Sequence, residues 1–438
     1  MIRGATRILG CCACSAALSL GGCSPDTESL SNDSAARGSG LPPSAAGGSA
    51  GTGGAGNPVS SAGISSGGGA PPDGGTSSSI SGTASGGVAA TRGGNSSTEP
   101  PRTHTRQKLE PADGHTLLFV GQDSGEIDDY AQAFGMPAGL MLYTNVWDGL
   151  GVLSPSDFGG YGWSDLSRWQ NRSEQFALQV GMDLDHGQNC GSCGNCTRAG
   201  FLEQLAQGDG ARVGLVHAIV KALRDTGRPV LLRVGYEFDG EICPGGFGKY
   251  PMAAYQRAFE RVHDIVQDEH ADRIALVWNA WAFQARDPGK AVGVAPWGWY
   301  PGDDVVDWIG LSVFPGFAAG DITEQYQTDK RRQLAEFAKQ HGKPLMIAES
   351  TPRARFAPAL GDAAWNGWYA GVFAYIEQSD AKAFSYINMN WEALPMWRGQ
   401  GWGDTRVQGS AVAQKWQAAQ RGDRFITSSP GLYQELGL

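Results

Sequence analysis

Val230-Leu231-Leu232-Arg233-Val234-Gly235-Tyr236-Glu237-Phe238-Asp239-Gly240 is the stretch on which the fold turns. Its apolar run lacks the polar alternation of a half-exposed sheet, so it reads as a strand buried on both faces, as parallel strands are. The run then delivers a lone carboxylate, Glu237, where strand gives way to loop. Lys343-Pro344-Leu345-Met346-Ile347-Ala348-Glu349-Ser350-Thr351 has the same form, with Glu349 in the equivalent place. Working outward, further apolar runs predict strands over Thr116–Gly121, Ala138–Thr144, Phe176–Asp183, Pro229–Tyr236, Arg273–Asn279, Val305–Ser312, Pro344–Ala348 and Ala383–Asn388. Between them Val213–Asp225, Ala253–Asp268 and Glu324–His341 carry apolar residues at helical spacing. Eight strand–helix units predict an α/β fold, a (β/α)₈ TIM barrel with long loops. A doubly wound open sheet is the alternative, but no Gly-rich phosphate loop follows the first strand.

A barrel of this kind does its chemistry at the C-terminal ends of its strands. Glu237 and Glu349 therefore share one barrel mouth. Two carboxylates there can act as a pair, one giving a proton to a leaving oxygen while the other attacks or activates water. Either one alone would be no more telling than a salt-bridge or capping residue. Arg233 lies on the Glu237 strand and is a cation available to Glu349, or else a structural ion pair beneath the site.

Further motifs extend this pattern. They are Phe119-Val120-Gly121-Gln122-Asp123, Arg233 to Gly240, Val306-Asp307-Trp308-Ile309-Gly310-Leu311-Ser312, Ala348-Glu349-Ser350-Thr351-Pro352 and Trp402-Gly403-Asp404-Thr405-Arg406-Val407. Together they resemble the retaining β-glycanases of glycoside hydrolase family 26, and most closely the branch that cleaves β-1,3-xylan. The resemblance implies that Glu237 is the general acid/base and Glu349 the nucleophile of a double displacement. It also marks two departures, because mannan-cleaving members look like His-Glu at the acid/base and carry a Tyr after the sixth strand. Here those places hold Tyr236 and Phe314. The first departure fits the β-1,3-xylanase branch. The second removes a hydroxyl that could orient the nucleophile, and Tyr386 and Arg233 are the expected replacements.

Fourteen Trp form a heavy load. Sugar rings pack their C–H faces on flat aromatic surfaces and need polar groups at their edges. Trp391, after the eighth strand, is the expected platform at the cleavage point. Trp278 and Asn279 end the fifth strand, and Trp297, Trp299 and Trp402 lie in loops. Gln122, Asp123, Asp239 and Asp404 are candidate hydroxyl ligands, and each is equally a candidate loop cap. Asp183-Leu184-Asp185-His186 reads as a polar loop rim. No organic cofactor and no metal are expected.

The chain has 438 residues and 65 glycines, and every Phe, Tyr and Trp lies at or beyond Phe119. The first quarter cannot build a core. Arg3 and Arg7 precede an apolar run, Ile8 to Leu20, that ends in Leu20-Gly21-Gly22-Cys23. That box resembles a bacterial lipoprotein cleavage site, which predicts a signal peptide over residues 1–22 and acylation of Cys23; an ordinary signal with an incidental Cys is the alternative. From Ser24 the Ser, Gly, Ala, Thr and Pro composition cannot offset its ordering entropy. Residues 23–108 therefore read as the lipidated N-terminus with a flexible tether or a glycosylated stalk, and 109–438 as the catalytic domain. The expected location is the outer membrane or surface of a bacterium, with the membrane reached only through the lipid. Cys190, Cys193, Cys196 and Cys243 remain after processing. Their spacing suits zinc, but export favours two disulfides, with three connectivities open.

Net charge is −10 with no Lys/Arg block. Nucleic acid and anionic membrane surfaces are poor partners for such a chain. A neutral polysaccharide fits, acted on by a monomer. The reading is an endo-acting retaining β-glycanase, with β-1,3-xylan as substrate. β-1,3-Glucan or β-mannan with the same machinery, and a non-catalytic carbohydrate-binding barrel, are the competing readings.

Overall fold

The computed structural model describes residues 105–438 except 159, 186, 189–196, 240–249, 282–295 and 316–322. Eight parallel strands form its centre: β1 (Thr116–Gly121), β2 (Gly139–Asn145), β3 (Ala177–Asp183), β4 (Val230–Val234), β5 (Ile274–Ala280), β6 (Trp308–Val313), β7 (Leu345–Ser350) and β8 (Ala383–Ile387). Each pairs with its sequence neighbour, and β8 closes on β1, with Leu117 opposite Ala383 and Gly121 opposite Ile387. The expected (β/α)₈ barrel is borne out. Every residue of every one of these strands is buried, which is why their sequences are continuous apolar runs.

Two apolar layers follow from the strand alternation. Leu117, Phe119, Met141, Leu231, Val277 and Met346 fill the barrel interior. Leu118, Val120, Leu140, Leu142, Val180 and Leu232 point the other way, toward the helices. The interior is tight. A Cβ on Gly139 would lie 2.1 Å from the Phe119 ring, so this position takes only glycine beside that ring. Leu109, which precedes β1, and Leu432 and Leu436, near the C-terminus, pack into the same interior cluster.

Helices α1 (Ser124–Phe134), α2 (Phe201–Gln207), α3 (Gly210–Asp225), α4 (Met252–Asp268), α5 (Thr323–Gln340), α6 (Ala370–Ser379) and α7 (Ala413–Gln420) lie along the chain between and after the strands. In α4 the buried residues Tyr255, Phe259, Val262 and Val266 recur at spacings of three and four, the face that docks on the sheet. α3 starts on an Asp209 side chain that accepts from the backbone N–H groups of Ala211 and Arg212.

Of the strand ends that differ from expectation, three matter for the site. β4 stops at Val234 because Gly235 takes φ +58° and Glu237 φ +54°, which turn the chain out of the strand. A side chain at Gly235 would strike Leu184 and Tyr255 at under 3 Å. β6 begins at Trp308 because the Asp307 carboxylate accepts from Leu276 N at 2.8 Å in place of a ladder bond. β7 runs on to Ser350, so Glu349 is a strand residue and not a loop residue.

Candidate active site

Strand alternation alone would aim Glu349 away from the mouth, because Met346 and Ala348 face the interior. A β-bulge changes this. In the β6–β7 pairing Leu311 opposes Ile347 but Ser312 opposes Glu349, so Ala348 is the extra residue and Glu349 turns inward. There its Oε1 accepts from the Tyr143 hydroxyl at 2.9 Å and from Arg233 Nη1. Arg233 is fully buried and also donates to Asn279 Oδ1 at 3.0 Å. Its guanidinium lies 4.9 Å from the Tyr236 ring centre and 5.3 Å from that of Tyr143. Burial works against its charge, but Glu349 and Tyr143 outweigh burial and push its pKa up further. The Tyr143 phenol is pushed well above its usual range, first by burial and then by the Glu349 charge, so it stays a donor.

Glu237 reaches the same mouth by other means. Its backbone sits in the left-handed region, a conformation that costs a non-glycine residue about 1–2 kcal/mol. Two bonds to described residues help to hold it there. Its N–H donates to Asn279 O at 2.8 Å, and Oε1 accepts from Ser312 Oγ at 2.6 Å. Ser312 is also the register partner of Glu349, and Asn279 takes the Arg233 that pairs with Glu349. The two carboxylates thus meet through shared neighbours on β5 and β6.

The chain is 29% identical over 354 residues to a β-1,3-xylanase of Alcaligenes sp., an alignment covering 75% of this chain and 68% of that protein. It is 30% identical over 354 residues to β-1,3-xylanase TXYA of Vibrio sp., covering 75% and 70%. The chain belongs to the β-1,3-xylanase branch of glycoside hydrolase family 26. No family model matches the chain. Among solved structures it is similar to the family 26 β-mannanase of Bacteroides ovatus, at 14% identity and TM-score 0.49, covering 72% of this chain and 90% of that one. As a member of this β-1,3-xylanase branch the protein is a glycoside hydrolase, as its motifs led us to expect.

For this β-1,3-xylanase relative the remaining expected residues divide sharply. Arg233 and Asn279 stand at the carboxylates. Tyr386 does not, because it points to the outer layer, where its hydroxyl donates to Thr405 O at 2.6 Å and meets the Tyr369 hydroxyl at 2.9 Å. Beside the expected Arg233, the second group on Glu349 is Tyr143 on β2, which sequence reasoning overlooked; its one signal is that it falls in phase with the interior residue Met141. Trp278 is likewise not a sugar platform. It is fully buried on the outer face, stacked 4.7 Å from Phe238, one residue out of phase with the inward Asn279. Trp299 is buried with its indole N–H on Tyr250 O, and Trp297 stacks on Phe337 at 4.4 Å.

Trp391 and Trp402 instead join Trp397 and Phe314 in one aromatic cluster, with Trp391 and Trp402 centred 5.4 Å apart and Phe314 5.6 Å from Trp402. The Arg353 guanidinium lies 3.4 Å from the Trp402 ring centre. Buried Gln122 donates to Tyr161 O at 2.7 Å. Asp123 is the N-cap of α1 and also accepts from Trp163 N, so both its oxygens serve the loop. Asp239 Oδ1 accepts from Trp281 N. Asp404 makes a paired contact with Arg406 at 2.9 and 2.7 Å, on the rim of an open cleft of about 690 Å³ shared with Asp129 and Gln408. Asp183 and Asp185 are both buried; Asp183 accepts from the Tyr250 hydroxyl and Asp185 from Gly200 N. Among the described residues no cluster of three or more His, Cys, Asp or Glu could hold a metal. Cys23, His186, Cys190, Cys193, Cys196 and Cys243, with the signal and the tether up to residue 104, lie outside the described residues; Lys108, expected to end the tether, instead meets the barrel, its carbonyl accepting from Trp308 Nε1 at 2.7 Å.

Proposed function

We propose that the protein is an endo-acting retaining β-1,3-xylanase in which Glu349 is the nucleophile and Glu237 the general acid/base. One observation carries the reading. A carboxylate fixed by a guanidinium and a phenol stands across a barrel mouth from a second carboxylate on a turn, in a chain 30% identical to a β-1,3-xylanase. In the first step Glu349 attacks the anomeric carbon while Glu237 gives its proton to the departing glycosidic oxygen. The carbon–oxygen bond breaks and a glycosyl ester on Glu349 forms. In the second step Glu237, now a carboxylate, takes a proton from water as that water attacks the same carbon and frees Glu349. This chemistry calls for carboxyl groups about 5–5.5 Å apart. Arg233 balances the Glu349 charge before attack and after release, and Tyr143 holds its orientation. Trp391 and its neighbours supply the flat surface for the sugar, and the net charge of −10 suits a neutral polymer.

A panel digest tests the reading. β-1,3-Xylan, β-1,4-xylan, β-1,3-glucan and mannan are each incubated with the full chain and with Glu349→Ala. Oligosaccharides released from β-1,3-xylan, and lost in the variant, are expected; release from none of the four, or undiminished release by the variant, removes it. NMR of the first product should show the retained anomer.

We infer further that the enzyme is exported as a monomer and held to the outer membrane or cell surface by acylated Cys23, on a tether spanning residues 23–108. The support is the Leu20-Gly21-Gly22-Cys23 box and the ring-free composition behind it. Cys190, Cys193, Cys196 and Cys243 then form two disulfides in an oxidising space. Mass spectrometry of the mature, unreduced protein should find a lipid on an N-terminal Cys23 and no free thiol. Bound zinc or four free thiols would overturn the disulfide assignment.

A further inference from the structure

The bulge that aims Glu349 inward leaves Ala348 without a regular ladder partner, deep inside the barrel. Its carbonyl is not orphaned. Gln179, at the centre of β3, donates its Nε2 to Ala348 O at 2.6 Å. The orientation of that amide follows from chemistry, since a carbonyl only accepts. Gln179 Oε1 in turn accepts from Ser385 Oγ on β8. Ser385 closes the ring, because its own carbonyl accepts from Ser350 Oγ at 2.8 Å. The residues before and after Glu349 are thus tied to one interior network, and Ala348, Gln179, Ser350 and Ser385 are all fully buried.

Gln179 is an unusual choice for this place. A polar side chain inside a packed barrel costs stability unless every group is paired, and a hydrophobic residue would fill the same layer without that demand. A bulge disturbs the ladder around its extra residue, and a side-chain donor on that residue's carbonyl favours the bulge over the regular ladder that would turn Glu349 outward.

We propose that Gln179, with Ser385 behind it, is a positioning residue for the nucleophile, acting by holding the β7 bulge that points Glu349 into the mouth. The assignment rests on the reading of Glu349 as nucleophile. Gln179 touches neither carboxylate nor substrate; it acts through the backbone on either side of Glu349. Loss of the Gln179 donor should therefore slow attack on the sugar while leaving its binding in place.

The test uses the full chain with Gln179→Met, which keeps length but removes the donor, and Ser385→Ala, a smaller change that leaves the donor in place. Both are measured at a temperature where circular dichroism shows them folded. The readouts are kcat and KM on β-1,3-xylan and the rate of covalent labelling of Glu349 by a 2-fluoro glycosyl fluoride of a β-1,3-xylo-oligosaccharide. Gln179→Met should lower both kcat and the labelling rate at least tenfold with KM within twofold, and Ser385→Ala should lower them by less. Labelling and kcat within twofold of the unaltered protein in both variants would overturn the assignment, whatever the change in melting temperature. Should Gln179→Met fail to fold, a folded Ser385→Ala with unchanged labelling overturns it alone. An unaltered protein that neither digests β-1,3-xylan nor takes the label would instead strike the functional reading, a separate result.

Discussion

Glu349 and Glu237 stand at the C-terminal ends of β7 and β4 in one barrel, yet they are held in contrasting ways. Glu349 is part of a strand, buried, and fixed by a cation, a phenol and a bulge whose flanking residues are bonded into the barrel interior. Glu237 stands beyond its strand on a left-handed residue, partly exposed, with a serine hydroxyl on its carboxylate. The contrast matches what the two proposed tasks require. A nucleophile must be charged and aimed at one carbon, whereas an acid/base must gain and lose a proton and reach both a leaving group and water.

Substitutions can break this comparison in order of expected effect. Glu349→Ala should lower kcat at least about 10⁴-fold, since no covalent intermediate can form. Glu237→Ala should cost about 10²–10⁴-fold on xylan. It should cost much less on an aryl glycoside whose leaving group needs no proton, and azide should restore turnover. Equal losses on both substrates would mean that Glu237 is not the acid. Arg233→Met leaves Glu349 buried without its cation, and denaturant unfolding should show a loss of about 3–5 kcal/mol; kcat should fall about 10²-fold alongside it.

Tyr143→Phe is the sharper probe, because it removes one hydroxyl and little else. Its expected cost is about tenfold in kcat, or about 1.4 kcal/mol. The phenol is held well above its usual pKa by burial and the Glu349 charge. It therefore donates at every working pH, and the loss should be uniform from about pH 5 to about pH 9. The linkage sign is that of a raised group: its contribution to stability is complete below the unfolded value near pH 10 and is lost as pH rises beyond it. Alkaline unfolding should accordingly be less steep in Tyr143→Phe than in the unaltered protein. Ser312→Ala is expected to do least, lowering kcat a few-fold, about 1 kcal/mol. A Ser312→Ala effect as large as that of Arg233→Met would erase the contrast between the two sites.

Much of this was legible in the residues themselves. β1 was expected over the span it occupies, and the other seven strands were found to within a few residues, because strands buried on both faces leave unbroken apolar runs. The same feature hid the phase. A run with no polar alternation does not say which side chains face the interior, so the sequence suggests Trp278 for the mouth, whereas it lies in the outer layer and its neighbour Asn279 faces the site. Tyr386 failed for the same reason, one residue out of phase with Ser385. Tyr143 was missed because an aromatic residue in an apolar strand looks like core until its register with β7 is known. Asp123 carried two readings, hydroxyl ligand and cap; in the fold both its oxygens serve the α1 cap and the adjoining loop.

By itself the sequence determined the number and order of the strands, the two strand-end glutamates and the ring-free first quarter, since these depend on residue type and local spacing. Only the tertiary structure decided which groups meet Glu349. Tyr143, Arg233 and Glu349 are separated by about ninety and over a hundred positions, and closing the barrel brings them within hydrogen-bonding distance. The inward turn of Glu349 is likewise a tertiary matter. It depends on a one-residue slip against β6, held by Gln179 and Ser385 from two other strands, and no local pattern of residues encodes a partner that far away in the chain.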